Sequence, residues 1–407
     1  MKIAIHDYCG HPFQVQLSRS LAERGYKIAH FYCNSNPTTP KGRLRQSGTD
    51  PVSLQILPVN LPRDVEKSAF FDRWRLERLY GQRLVDSVAA FAPDLVISAN
   101  TPLDAQASLL AYCKQAAVPF VFWVQDVISE AAYRILSRRF PGVGHLVGRY
   151  YQRKEKKLLR ASSRLVGITE DFKPFFDQAG VPDSRIDTIP NWAPLDEVRP
   201  LSKDNPWSCR FDLADKFVFL YSGTLGFKHN PELLLALAQR FSTREDVRVV
   251  VNSQGNAADW LKQKRLERGI HNLIINPYQP YEELSQTLAT ADVFLALLEP
   301  DAGVFSVPSK VLSYHCAQRP ILLAVPEQNL TSKIVVNAGS GLVGDPWNLE
   351  LFCDHAEQLY QDQAQLSAMG QRARDYAVQH FEIQAITDRF ESVICKVTEQ
   401  HEKGANV

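Results

Sequence analysis

The sequence predicts an α/β protein of two Rossmann-like domains, each built on a doubly wound parallel sheet. Short apolar runs alternate with helical patterns in both halves of the chain. A polar, proline-bearing stretch near residue 200 separates the halves, and 407 residues are too many for one hydrophobic core. Because ligands bind at the carboxyl ends of strands in such sheets, we expect a binding cleft between the two domains.

The first half opens directly on a strand pattern. Gly25 closes the first helical pattern, since glycine readily adopts the backbone conformation that ends a helix. The stretch 34–50 is rich in Pro, Thr, Arg and Gly, which predicts a loop. The strands are predicted at Lys2–His6, Lys27–Cys33, Ser53–Leu57, Asp94–Ser98, Phe120–Trp123 and Arg164–Ile168, and the helices at Phe13–Arg24 and Ala69–Phe91.

The second half repeats this alternation. Its strands are predicted at Phe217–Tyr221, Val247–Val251, Leu273–Ile275, Val293–Leu297 and Ile321–Ala324, with a short one near Val343, and its last helices at Leu366–Gln379 and Ile383–Glu399. We assign 1–200 to an N-terminal domain, 201–380 to a C-terminal domain and 381–407 to a C-terminal helix and tail. The C-terminal helices are candidates to cross back to the first domain.

Composition excludes several classes of protein. With 46 basic and 45 acidic residues, the net charge gives no argument for nucleic-acid binding. No apolar run reaches the roughly 18 residues that a membrane span needs, and the N-terminus lacks a signal-peptide core. The 7 cysteines include no C-x-x-C pair, which argues against a zinc site or a disulfide framework. We therefore expect a cytoplasmic protein.

The stretch from Phe217 to Phe241 is the first candidate site. A buried strand pattern ends in a turn that contains Gly223, and Lys228 follows before a new helical pattern. Pro231 suits the first turn of that helix, with Asn230 as its N-cap. Free backbone N–H groups, a positive helix end and a lysine together favour a phosphate. The alternative is an ordinary tight connection between a strand and a helix.

The stretch from Leu298 to Pro320 is the second candidate site. A loop follows a strand, and Ser309 and Lys310 then begin a helix, so their N–H groups and the lysine charge form a second potential anion site. A merely capped helix start would look the same. Neither half has G-x-G-x-x-G after its first strand, which argues against a nicotinamide-dependent oxidoreductase.

These segments resemble the family-4 glycosyltransferases, retaining enzymes of the GT-B fold that use nucleotide-sugar donors. The resemblance is carried by IPNWAPLDEVRP (189–200), YSGTLGFKHNPELLLALA (221–238), NPYQPYEELSQTLATADVFLALLEP (276–300) and SVPSKVLSYHCAQRPIL (306–322). The bacterial subgroup that builds surface polysaccharides is the most similar. The resemblance implies sugar transfer to a hydroxyl of a glycan, commonly polyprenyl-linked, without a metal or other cofactor.

The resemblance also implies roles for individual residues. Gly223 and Thr224 would approach the donor diphosphate, and Lys228 would neutralise it as it leaves. Tyr278 and Gln279 would hold the base, largely through backbone groups. The loop from Glu299 to Ser306 would line the donor sugar. Ser309 and Lys310 would contact phosphate, and Ser313 would lie at the ribose. A packed loop aromatic is the alternative for Tyr278.

One departure from the family pattern matters. Many members carry two glutamates eight positions apart, and Phe305 and Ser313 stand at those positions here. Ser313 would make a weaker hydroxyl contact to the ribose, or Glu299 and Asp301 would take over the sugar. The departure keeps open two alternatives: a nucleotide-sugar epimerase or hydrolase of the same fold, and a catalytically silent partner in a glycan-assembly complex.

The N-terminal half carries the acceptor candidates. Asp126 follows a strand and would position or deprotonate the acceptor hydroxyl, unless it only caps the next helix. Gly10 and His11 lie on the first loop, where family members contact donor or acceptor; His11 before Pro12 is otherwise a neighbour of a helix cap.

A basic segment lies between Arg134 and Arg164, where Glu155 is the one acidic residue. Leu146, Tyr150 and other apolar residues stand among its cations, as in a helix that rests on anionic lipid. We expect 146–164 to contact the inner face of the cell membrane, or to be an ordinary solvated helix face.

Overall fold

The N-terminal sheet is seven-stranded and wholly parallel, in the order β3-β2-β1-β4-β5-β6-β7. A computed structural model describes residues 1–36, 42–65, 70–99, 101–299 and 307–405. The strands are β1 (Lys2–Asp7), β2 (Lys27–Cys33), β3 (Leu54–Val59), β4 (Leu95–Ala99), β5 (Phe120–Val124), β6 (Arg164–Gly167) and β7 (Ile186–Thr188). The helices are α1 (Pro12–Glu23), α2 (Phe70–Phe91), α3 (Leu103–Gln115), α4 (Ile128–Arg139), α5 (Val143–Ala161) and α6 (Lys173–Gln178).

The C-terminal sheet is six-stranded and also parallel, in the order β10-β9-β8-β11-β12-β13. The strands are β8 (Phe217–Ser222), β9 (Val247–Asn252), β10 (Leu273–Asn276), β11 (Val293–Leu297), β12 (Ile321–Ala324) and β13 (Gly341–Gly344). The helices are α7 (Pro206–Arg210), α8 (Glu232–Arg240), α9 (Asn256–Glu267), α10 (Leu284–Ala289), α11 (Lys310–Cys316), α12 (Leu330–Ala338), α13 (Leu349–Gln361), α14 (Gln363–His380) and α15 (Ile383–Ala405).

Burial explains why the central strands are nearly all apolar. Every residue of β11 and β12 is buried, because helices cover both faces of a doubly wound sheet. In the C-terminal sheet, Phe219 and Tyr221 pack in one cluster with Leu233 and Leu237 of α8. The prediction of two Rossmann-like doubly wound sheets is confirmed.

The chain divides into two compact units, one of 1–191 with 383–407 and one of 192–382. The stretch 192–200, which the prediction placed in the first domain, therefore belongs with the second. Its hydrogen bonds explain this: the Ser285 hydroxyl donates to the Glu197 carbonyl oxygen at 2.8 Å, and the Tyr281 hydroxyl donates to the Glu197 carboxylate at 2.6 Å.

Helix α15 returns to the N-terminal unit, as the prediction of a helix crossing back expects. The Thr387 hydroxyl donates to the Ser20 hydroxyl of α1 at 2.8 Å. The Phe390 ring packs edge-on against Trp123 of β5, with ring centroids 4.7 Å apart. Among the described residues, no helix is long and apolar enough to cross a membrane.

Each sheet has one point where the strand order reverses. In the N-terminal sheet it lies between β1 and β4, and in the C-terminal sheet between β8 and β11. The loops that leave such strands diverge to opposite faces, which opens a crevice at their carboxyl ends. A ligand-binding site is therefore expected among the residues that follow β1, β8 and β11.

Candidate functional site

The turn after β8 requires a glycine. Gly223 has a φ of +126°, which L side chains rarely adopt, and its N–H donates to the Asn252 carbonyl oxygen at 3.0 Å. A Cβ at this position would lie 3.3 Å from Cε of Lys310. The absence of a side chain at 223 thus lets the Lys310 chain pass directly beside the turn.

Lys310 is the first residue of α11, as the P-S-K motif predicts. Its ammonium group donates to the Thr224 carbonyl oxygen at 3.2 Å and lies 3.5 Å from the centroid of the Tyr221 ring. The Tyr221 hydroxyl donates to the same carbonyl oxygen at 2.7 Å. Burial, and then the neighbouring charge of Lys228, lower the pKa of Lys310 well below its ordinary value. The charged form of Lys310 is therefore disfavoured in the free turn, and an arriving anion would stabilise it.

Lys228 lies on a short 3₁₀ turn, Phe227–His229, and is exposed. Its backbone carbonyl oxygen accepts a hydrogen bond from the N–H of Glu299 at 2.9 Å, which ties the loops after β8 and β11 together. The His229 ring accepts from the N–H of Gly226 at 2.8 Å. Burial and the two lysines lower the pKa of His229 to about 2, so this ring stays neutral and serves as a fixed acceptor.

The predicted N-cap role of Asn230 is wrong. Asn230 has a φ of +45° and ends the 3₁₀ turn, and its side chain donates to the Pro346 carbonyl oxygen at 3.1 Å. Helix α8 begins after Pro231 and has no side-chain cap. Because the backbone of Asn230 itself is left-handed, its side chain points away from the start of α8.

Tyr278 and Gln279 follow β10 and are both half-buried. The Tyr278 hydroxyl donates to the Thr224 hydroxyl at 3.3 Å, so the structure brings Tyr278 to the Gly223 turn. The Gln279 side chain accepts from the buried Trp207 indole at 2.9 Å and donates to the Pro277 carbonyl oxygen at 2.8 Å. The Gln279 side chain therefore stabilises the local fold.

The remaining donor candidates lie around α11. Glu299 is half-buried after β11, Ser309 is exposed at the N-cap of α11, and Ser313 is half-buried one turn further on. Ser306 and Phe305 lie outside the described residues, as does Asp301. The structure therefore gathers Gly223, Thr224, Tyr278 and Lys310 by direct contact, with Lys228 and Glu299 joined to them through the backbone.

In the N-terminal unit, Asp7 organises the loop after β1. Its buried carboxylate accepts from the backbone N–H of Cys9 at 3.0 Å and from that of His11, and it pairs with the His11 ring at 3.4 Å. Gly10 has a φ of +75°, and its carbonyl oxygen accepts from the Gly42 N–H at 2.9 Å. Sequence reasoning missed Asp7, although an acidic residue that ends a buried strand before a glycine was a visible signal.

His11 is partly buried beside this carboxylate. Burial opposes its charged form, but the charges of Asp7 and Asp126 and the hydrogen bond to Asp7 raise its pKa. Burial would raise the pKa of Asp7, and the His11 charge and hydrogen bonds lower it overall. The two acceptor candidates of the sequence, His11 and Asp126, therefore lie within electrostatic reach of each other.

Asp126 does not cap α4. Val127 holds the cap position without a side-chain bond, and the N–H groups of Ile128 and Ser129 instead donate to the Glu155 carboxylate at 3.2 Å each. Burial raises the pKa of Glu155 to about 7, although these hydrogen bonds by themselves lower it. Because Val127 holds the cap position and Glu155 accepts the first N–H groups, the alternative of Asp126 as the cap of α4 is wrong.

Among the described residues, Asp7, Cys9 and His11 are also the one group of three or more His, Cys, Asp or Glu residues whose potential ligand atoms all lie within 4.8 Å of one another. The Asp7 oxygens already accept two backbone N–H groups and pair with the His11 ring. The internal pairing accounts for this cluster, and it carries no metal assignment.

Two family descriptions match the chain. "Glycosyl transferase 4-like domain" matches residues 11–192, and "Glycosyl transferases group 1" matches residues 210–376. Between them they cover most of the N-terminal unit and most of the C-terminal unit.

Among curated proteins, the chain is similar to WcaI of Escherichia coli strain K12, which is named as a glycosyl transferase of colanic acid biosynthesis. The two are 24% identical over 222 residues, which are 54% of this chain and 54% of WcaI. The chain thus matches about half the length of the curated relatives it resembles.

Two solved structures have the same fold over nearly the whole chain. Sucrose-phosphate synthase from Thermosynechococcus elongatus has a TM-score of 0.74 at 12% identity, covering 98% of this chain and 100% of that chain. Anabaena HepE, solved in complex with UDP-glucose, has a TM-score of 0.70 at 14% identity, covering 97% of this chain and 99% of that chain.

Proposed function

We propose that this chain, which belongs to the family-4 glycosyltransferases of the GT-B fold, transfers a sugar from a nucleoside-diphosphate sugar to a hydroxyl of a glycan in bacterial polysaccharide biosynthesis. The observation that carries the proposal is the pair of lysines at the Gly223 turn. Lys310 lies against that turn and Lys228 follows it, at the point where the strand order of the C-terminal sheet reverses. Two cations beside a glycine turn suit a diphosphate.

The donor chemistry follows from these charges. As the sugar leaves, negative charge develops on the diphosphate, and preorganised cations stabilise it without any reorganisation at that moment. Lys228 and Lys310 would supply this stabilisation, so no metal is required. Tyr278 would lie near the base, and Ser309, Ser313 and Glu299 around the ribose, phosphate and sugar. The complex of HepE with UDP-glucose supports a donor of this class.

The acceptor chemistry is assigned to the N-terminal unit. Asp126 would take the proton of the acceptor hydroxyl or orient it, and His11 would donate a hydrogen bond to the acceptor or donor. Asp7 is a positioning residue, since its carboxylate holds both the His11 backbone and ring. Retention of configuration and a lipid-linked acceptor are parts of this proposal that rest on the family.

A thermal-shift panel of nucleoside diphosphates and nucleotide sugars tests donor binding first. A ligand that binds only the folded protein at about 100 times its Kd stabilises by about 2.7 kcal/mol. We expect one base to raise the Tm clearly and the matching nucleoside monophosphate to raise it less. If no diphosphate shifts the Tm while the protein is folded, the donor proposal fails.

A transfer assay then separates the reaction types. We expect release of the nucleoside diphosphate to depend on an added glycan acceptor. Equal release in acceptor-free buffer would indicate a hydrolase, and an altered nucleotide sugar without release would indicate an epimerase.

The lack of the glutamate pair favours one further candidate, a catalytically silent partner in a glycan-assembly complex. The two readings predict different phenotypes in the producing cell. For an enzyme, Lys228→Ala and deletion of the gene both abolish the polysaccharide. For a silent partner, only the deletion does.

We also propose that α5 rests on an anionic membrane surface. The exposed side of this helix carries Arg149, Arg153 and Lys157, while the one acid of the segment, Glu155, is 3% exposed and points inward to α4. Cations near an anionic leaflet contribute about 1 kcal/mol each.

We expect the protein to float with anionic liposomes, and most of this binding to be lost when Arg149, Arg153 and Lys157 are changed to Gln. The matched control changes Lys262, Lys264 and Arg265 of α9 to Gln; equal loss in both variants would indicate a general charge effect.

A further inference from the structure

Three helices of the N-terminal unit enclose a cavity of about 680 Å³, which we call the helix groove. Helices α2, α3 and α5 contribute its walls. Its apolar lining consists of Phe71, Trp74, Ala107, Ala111, Val147 and Tyr150. A volume of this size lies within the range of sites that hold one small molecule.

Exposed aromatic rings line the helix groove together with small side chains. Phe71 is 80% exposed, Tyr150 55% and Trp74 38%, whereas alanines line the wall formed by α3. Large apolar side chains are seldom this exposed together, and around a cavity they indicate a ligand with an apolar body. Aromatic rings that border an apolar slot also suit the boundary between a membrane and water.

The α4–α5 pair also exposes large apolar side chains outside the groove. Leu146 is 69% exposed, Val143 66% and Ile135 64%. Val143 and Leu146 each lie one helical turn before a lining residue of α5, Val147 and Tyr150, so a hydrocarbon chain that leaves the groove would meet further apolar surface on α5.

The charges around the groove select an anion. The Arg78 guanidinium lies 4.9 Å from the Trp74 ring, and Lys154 pairs with Asp104 within the lining. Because Lys154 and Asp104 neutralise each other, Arg78 gives the lining a net positive charge, and charge complementarity favours a phosphate.

We propose that the helix groove binds the hydrocarbon chain of a single-chain lipid phosphate, with the phosphate held by Arg78. This inference deepens the proposed acceptor class and rests on the proposed function, because a lipid-linked acceptor would present such a chain. The volume suits one chain, in contrast to the two chains of a bilayer phospholipid. Each buried methylene would add affinity, as in other sites that bind lipid chains.

The test measures binding of farnesyl phosphate below its micellar concentration by titration calorimetry. Ala111→Trp places a large ring in the groove, and we expect at least a tenfold weaker Kd. Ala90→Trp is the matched control, since it adds the same side chain at an exposed position of α2, about 24 Å along that helix from Trp74. Farnesol, which lacks the phosphate, should bind at least tenfold more weakly than farnesyl phosphate.

A second variant guards against a folding defect. Phe71 and Tyr150 are exposed, so changing both to Ser should leave the Tm unchanged and still weaken binding at least tenfold. Equal binding by the wild type, Ala111→Trp and the double variant would overturn the inference. So would binding only to intact phospholipid vesicles, or complete competition by an acidic peptide.

The nucleotide-induced Tm shift is measured on the same samples. A normal nucleotide-induced Tm shift with no binding of farnesyl phosphate would refute the lipid site in the groove and leave the proposed function intact. Groove-dependent binding without any nucleotide shift or sugar transfer would refute the proposed function alone.

Discussion

Replacing Lys228 with Ala is expected to lower kcat by about 10²–10³-fold, the usual effect of removing one preorganised group that stabilises developing charge. The loss should fall mainly on kcat, because the negative charge grows as the diphosphate leaves. The Lys228 side chain is exposed, and only its backbone holds Glu299, so the Tm should not change. Steady-state kinetics with the donor identified in the thermal-shift panel would measure this.

The controls separate charge from shape. Lys228→Arg keeps the positive charge and should recover part of the activity, although its planar fork differs from an ammonium. Lys262→Ala removes an exposed lysine of α9 and should keep full activity. Wild-type kcat in Lys228→Ala would show that the leaving charge is neutralised elsewhere.

The second large effect concerns proton uptake at Lys310. Burial and the charge of Lys228 lower the pKa of this ammonium, and a bound diphosphate would raise it again. Above the pKa of the free protein, binding must therefore take up a proton, and affinity must weaken as pH rises. Titration calorimetry in buffers of different ionisation enthalpy would report this uptake for UDP, or for the diphosphate that binds best.

Two substitutions at Lys310 give different results. Arginine keeps its charge at all relevant pH values, so Lys310→Arg should bind without proton uptake if its longer head group fits beside Gly223. Lys310→Met should lose both the uptake and at least tenfold in affinity. Lys262→Arg is the matched control and should behave as the wild type. Undiminished uptake in Lys310→Met would assign the proton to another group.

The alternation of patterns was sufficient to predict both sheets, because strands covered on two faces must be apolar throughout. Strand β7 was missed since it has only 3 residues, and its central Asp187 faces partners rather than the core. Arg164 and Lys396 neutralise that aspartate, and neither pairing can be read from a local pattern. The helical character of 383–399 was visible, but which unit it packs against depends on contacts distant in sequence.

In the candidate site, too, local sequence patterns predict some features, while others depend on contacts between segments distant in sequence. Glycine and lysine after a buried strand mark the Gly223 turn locally, and Lys310 marks the start of a helix. That Lys310 lies over the Tyr221 ring could not be predicted, because it depends on the neighbouring positions of β8 and β11. The same holds for Glu155: in sequence it is one acid among cations, and only the packing of α5 on α4 makes it a helix cap.

The return of α15 to the N-terminal unit bears on synthesis. This unit lacks Phe390 and Thr387, which pack on Trp123 and Ser20, until residues 383–405 have been translated. The unit 192–382 is complete before them and is free to fold first on the ribosome, while the earlier segment waits for roughly 10 to 40 s at ordinary translation rates. During that interval the surface of α1 that later receives α15 is available to chaperones.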